Sequence, residues 1–78
     1  MPRRRRDPDP VAKIFGAAVR TERDRLGWTL EELGDRMGRP DGKYVGEVER
    51  GWHSPTLTMA KRIADALGVP LAKLVRAL

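Results

Sequence analysis

An all-α fold is what this sequence predicts, and three observations carry that expectation. Apolar residues recur at helical spacing, as in Leu30, Leu33, Met37 and again in Leu71, Leu74, Val75, Leu78. Helix-start signatures precede the periodic segments: Asp9-Pro10, Thr29-Leu30-Glu31-Glu32 and Ser54-Pro55. Breakers then close them, at Gly27, at Gly38-Arg39-Pro40-Asp41-Gly42, at Gly51 and at Gly68.

The chain has 78 residues, enough for one domain but not for a catalytic cleft and a second module. It has no cysteine and one histidine, His53, which excludes disulfide frameworks, thiolate metal sites and His-rich metal clusters. No apolar run approaches the roughly 20 residues that cross a bilayer, and MPRRRRDPDP is not a signal peptide. The expected location is cytoplasmic, with no membrane partner. The net charge is +5, unevenly spread. Residues 1–26 hold eight Lys/Arg against four Asp/Glu, residues 27–53 four against six, and residues 54–78 four against one. A basic chain points to nucleic acid or an anionic membrane, yet the middle third is acidic.

Residues 1–10 combine four consecutive arginines with three prolines and two aspartates, and hold no apolar residue beyond Met1 to bury. They are expected to form a disordered basic arm, with the folded domain over 11–78. Arg3, Arg4, Arg5 and Arg6 would either lie along phosphates or serve as a solvated, solubilising tail.

Helix 1 is expected from Pro10 or Val11 to Leu26, with Asp9 as N-cap. Ile14, Phe15, Ala18, Val19, Glu22 and Leu26 share a face, and five of the six are apolar. Gly27 ends it, and Trp28 follows as an apolar anchor of the core. Helix 2 opens on the capping box Thr29-Leu30-Glu31-Glu32, whose acids suit the positive helix end rather than acid–base catalysis. After the breaker at residues 38–42, Val45 and Val48 mark the buried side of helix 3, which closes at Gly51. Two short helices joined by so short a turn must cross steeply, so residues 29–51 form a helix-turn-helix unit. Its second helix has the width of a DNA major groove.

Trp52 and His53 fall in a loop. Trp52 is large and expected to be exposed, against a nucleic-acid backbone, a partner chain or helix 4; His53 is expected to be solvated. Helix 4 is expected to start with Ser54 as N-cap and Pro55 at its first position, and to bury Leu57, Ala60, Ile63, Ala64 and Leu67. Its N-terminal amides and the hydroxyls of Thr56 and Thr58 suit phosphate oxygens. Pro70 begins helix 5, whose Leu71, Leu74, Val75 and Leu78 are more than a terminal helix needs to dock. They are the candidate surface for a weak homodimer, the alternative being burial within one subunit.

From Val19 through Leu74 the chain resembles the Xre-type phage-repressor DNA-binding domain, a compact five-helix helix-turn-helix bundle. The resemblance rests on Arg23 before Gly27, on Thr29-Leu30-Glu31-Glu32-Leu33, and on Tyr44-Val45-Gly46-Glu47-Val48-Glu49-Arg50-Gly51. It continues through Ser54-Pro55-Thr56-Leu57 and Arg62-Ile63-Ala64-Asp65-Ala66-Leu67-Gly68-Val69. It implies a recognition helix over about residues 42–50 capped by Asp41, with Gly42, Lys43, Gly46 and Glu47 facing base edges. Lys43 would donate to guanine O6 or N7 and Glu47 accept from cytosine N4, while the glycines offer backbone only. Arg39, Tyr44 and Arg50 join the two threonines and the arm as expected phosphate contacts. The resemblance also implies an ion pair between Arg23 and Glu49, and a lone carboxylate beside Val45 and Val48 would be costly to desolvate. The chain departs from the pattern at Leu30, where relatives often carry glutamine, and in a turn one residue longer than usual.

The expectation is thus a sequence-specific, double-stranded DNA-binding transcriptional regulator without cofactor or metal. The alternative is a protein-interaction adaptor or antitoxin-like module with a protein partner and weak DNA binding. Nothing in the sequence suggests an enzyme, since no nucleophile–base pair or Gly-rich phosphate loop is present.

Overall fold

The structure is a computed structural model that describes residues 9–39 and 41–78. The arginines of the expected arm lie outside the described residues. Five helices follow one another: α1 (Pro10–Leu26), α2 (Leu30–Arg36), α3 (Lys43–Glu49), α4 (Leu57–Leu67) and α5 (Leu71–Val75). All regular structure among the described residues is helical, so the all-α expectation holds.

Local chemistry sets most of the helix ends. The Asp9 carboxylate accepts from the Val11 amide, with Pro10 in the first turn. The arm expected over residues 1–10 therefore overlaps the first helix by its last residue and its cap. At α2, Thr29 Oγ1 accepts from the Glu32 amide at 3.0 Å and Glu32 Oε1 accepts from the Thr29 amide at 2.7 Å, completing the capping box. Two helix starts differ from expectation. The cap position of α3 is Gly42 rather than Asp41, although Asp41 still accepts from the Lys43 amide. Helix α4 begins at Leu57, not Pro55, because the Thr56 hydroxyl takes the Met59 amide and the chain through Ser54 and Pro55 stays non-helical.

The core joins Phe15 and Val19 of α1 to Leu33 of α2 and Val45 and Val48 of α3. Ala60, Ile63, Ala64 and Leu67 of α4 and Leu74 of α5 complete it. Burying each of the larger of these side chains is worth about 1.5–3 kcal/mol. Leu57 is the exception to the expected α4 stripe: at the helix's first residue it points away from the core and is 77% exposed. Ile14 of the expected α1 face is also exposed.

Helix α3 lies against both α1 and α2. At Gly16 the α1 backbone touches the end of α3, where a Cβ would stand 2.1 Å from the Val48 carbonyl oxygen and 2.7 Å from that of Glu49. Any side chain there would force the helices apart. Helix α5 closes the bundle against α1 and α4. Glu22 of α1, buried, sits between Arg25 at 2.9 Å and Lys73 of α5 at 3.6 Å.

Candidate nucleic-acid interface

Burial sorts the residues of α3 by face. Val45 and Val48 enter the core, while Lys43 and Arg50 are exposed and Tyr44 and Glu47 half-buried. Gly42 and Gly46 are buried, on the side turned to α2. A Cβ on Gly42 would meet Leu30 Cβ at 2.6 Å, and one on Gly46 would touch Leu30 Cδ1 at 3.5 Å. Gly42 therefore sets how closely the start of α3 approaches α2, whereas at Gly46 a Cβ would make ordinary contact; both are buried, unlike Lys43. Leu30, at the polar position of the resemblance, is the surface they pack on.

Of the outward residues, Lys43 makes no ion pair among the described residues, so its ammonium is available. Glu47 is engaged: its Oε1 lies 2.8 Å from His53 Nε2. The Arg50 guanidinium folds back along the helix, 3.5 Å from where a Gly46 Cβ would be and 5.0 Å from the Trp52 ring centroid. Arg39, in the turn, sits 4.3 Å from the centroid of the Tyr44 ring. Such stacking fixes a guanidinium while leaving its N–H edge open to phosphate oxygens. Burial pushes the Tyr44 phenol above its ordinary 10.0 against the pull of Arg39, so it stays a hydroxyl donor. Thr56 Oγ1 already accepts a backbone bond but keeps its own proton to donate, and Thr58 is exposed beside it.

Behind the outward face, Arg23 grips Glu49 through two parallel bonds, Nε to Oε2 at 2.6 Å and Nη2 to Oε1 at 3.0 Å. Its Nη1 donates to the Trp28 carbonyl at 2.7 Å. The Glu49 hydrogen bond raises the Arg23 pKa despite burial, which opposes it. One guanidinium thus ties α1 to the end of α3 and to the entry of α2.

Three participants escape sequence reasoning. His53 is exposed, as expected of a solvated side chain, but it is also hydrogen-bonded to Glu47 and stacked on Tyr44, with ring centroids 5.4 Å apart. Arg62 of α4 joins Arg39, Asp41 and Tyr44 around an open cleft beside the turn. Arg36 lies 4.1 Å from the centroid of the Trp28 ring. Helical spacing puts Arg62 and Arg36 outside the core, but no local pattern says that they meet the turn or an aromatic ring. Of the candidate dimer residues, Leu74 is fully buried within the subunit, Leu71 and Val75 are half-buried, and Leu78 is 57% exposed.

A helix-turn-helix family model matches residues 19–74. The chain belongs to the Xre/Cro-like helix-turn-helix family. It is 44% identical over 50 residues to an HTH-type transcriptional regulator of Methanothermobacter thermautotrophicus, covering 64% of this chain and 71% of that protein. Among solved structures it is similar to the restriction-modification controller protein C.AhdI of Aeromonas hydrophila, at TM-score 0.75 and 33% identity over 81% of this chain and 94% of that one. It is also similar to the clp gene regulator ClgR of C. glutamicum, at TM-score 0.80 and 29% identity over 87% of each. This helix-turn-helix chain is a DNA-binding transcriptional regulator.

Proposed function

We propose that the regulator lays α3 in the major groove, with Lys43 and Glu47 reading bases and Arg39, Tyr44, Arg50, Thr56 and Thr58 contacting phosphates. The observation that carries this reading is the sorting of α3. Its apolar side is locked into the core while Lys43, Glu47 and Arg50 share the outer side, at a helix width the groove accepts. Gly42 acts through the close approach of α2 and α3, and both Gly42 and Gly46 are buried, which leaves base readout to the side chains. Because α3 carries one lysine, with Arg50 at its C-cap, phosphate contacts supply most of the affinity, with Arg3, Arg4, Arg5 and Arg6 adding to them. Titration of duplex at several salt concentrations tests this. Deleting residues 1–6 should flatten the slope of log K against log salt by roughly 0.9 for each phosphate the arm neutralises. An unchanged slope would remove the arm from the interface, and salt-independent binding would remove the reading itself.

The same reading makes the chain a binding module rather than an enzyme, with a cytoplasmic place beside its DNA. No helix among the described residues is long and apolar enough to cross a membrane. A weak homodimer, strengthened on DNA, is supported by an apolar groove in which Val11, Leu57 and Leu78 are exposed beside Pro55 and Val75. Leu71 and Leu74, the other two candidate residues, pack in or against the core of the subunit. Two copies about a two-fold axis would read half-sites about 34 Å apart. The same groove equally suits a different protein chain, the adaptor reading, which mass measurement on and off DNA separates from self-association.

A further inference from the structure

We propose that His53 is a positioning residue for base readout, holding the Glu47 carboxylate in its reading orientation through a row of stacked side chains. This rests on the assignment of Glu47 as a base contact. Glu47 Oε1 lies 2.8 Å from His53 Nε2. An ionised carboxylate only accepts hydrogen bonds, so Nε2 carries the proton, and Oε2 makes no hydrogen bond among the described residues. Oε2 is the atom left to accept from an exocyclic amine such as cytosine N4. The imidazole is itself held: it stacks on Tyr44 with an interplanar angle of 28°, and Arg39 sits over the same phenol ring.

The row thus draws Arg39 from the turn, Tyr44 and Glu47 from α3, and His53 from the loop that follows. It does two things for readout. A glutamate has three rotatable bonds, and freezing it on the duplex costs binding free energy unless the protein has already restricted it. The imidazole N–H also occupies one carboxylate oxygen, so less unpaired negative charge faces the phosphates.

The experiment is selection from a random duplex pool, followed by titration of the selected duplex and of its variant at the base pair that Glu47 reads. Wild type, Glu47→Ala, His53→Ala, His53→Gln and the Glu47→Ala/His53→Ala double variant are compared. His53→Ala should lower discrimination at that base pair by roughly 3- to 10-fold, the range set by freeing one side chain. The double variant should match Glu47→Ala alone. His53→Gln should restore discrimination, because its amide N–H can replace Nε2–H. If Glu47→Ala relaxes discrimination and His53→Ala does not, the positioning role is overturned and the Glu47 assignment stands. If Glu47→Ala itself leaves discrimination unchanged, the base contact and the positioning role fall together. Uniform weakening of all duplexes by His53→Ala, with a shallower salt slope, would make His53 a phosphate contact and overturn the proposal. Equal melting temperatures for wild type and His53→Gln verify that the comparison is made between folded proteins.

Discussion

The Arg23 guanidinium and the Glu49 carboxylate meet edge to edge, with Nε–Oε2 at 2.6 Å and Nη2–Oε1 at 3.0 Å, across 26 residues of chain. The Glu49 side chain is only 7% exposed and that of Arg23 only 12%. Two positions apart on α3, Glu47 and Glu49 therefore do different things: one faces outward, the other joins the helix to the frame. Glu49→Ala strands Arg23 and should cost about 3 kcal/mol, the lower end of the range for a broken buried pair. Glu47→Ala removes an exposed bond to His53 and should cost under about 1 kcal/mol. Thermal melts of the two variants check this, and equal melting temperatures would refute the assigned roles.

Glu22 makes acid stability testable. Burial alone would push its carboxyl up, but the Arg25 hydrogen bond and the Lys73 charge more than reverse this and hold it below its ordinary 4.5. A depressed carboxyl contributes stability that is present above about pH 4.5 and is lost as pH falls through the folded value. Glu22→Gln should therefore melt below wild type at pH 7, and the gap should close on acidification. A gap that widens in acid would contradict the pairing.

Lys43→Ala should relax preference at one or two base pairs by about 1–3 kcal/mol, leaving other positions of the site untouched. Binding measured across single-base variants of a selected duplex decides it. Weakening of equal size on every sequence would make Lys43 a phosphate contact instead.

At the C-terminus, Leu78→Lys should abolish self-association and weaken duplex binding without lowering the melting temperature, since Leu78 is mostly exposed in one subunit. Leu74→Ala is the contrast: that side chain is fully buried, and its truncation should cost about 2–5 kcal/mol in the subunit itself. Light scattering with melts distinguishes the two. A wild type that stays monomeric at high concentration and binds duplex one to one would end the dimer reading.

Helices whose signals are local can be read from the sequence: the capping box at Thr29 and the Asp9-Pro10 start specify their own hydrogen bonds within four residues. The start of α4 misleads because Ser54-Pro55 has the composition of a cap, while the competing hydroxyl of Thr56 lies two residues on. Leu57 misleads for the same reason, since shifting the helix start changes which face its first residue occupies. At the proposed interface, the family resemblance is what singles out Lys43 and Glu47, and both fall on the outer side of α3. The burial of Gly42 and Gly46 cannot be read from the sequence, because it depends on how closely α2 crosses above them. The His53–Glu47 contact closes over a loop whose path no periodicity describes.

The bare backbone of Gly16 against the last carbonyls of α3 has a consequence for how a site is chosen. With main chain touching main chain, and Arg23 bracing the same corner, α3 cannot tilt toward an imperfect groove independently of α1. Accommodation then falls to the duplex, whose cost of twisting or bending differs from one base step to the next. Part of this regulator's selectivity would accordingly reside at positions it never touches, written in the stiffness of the DNA between its contacts.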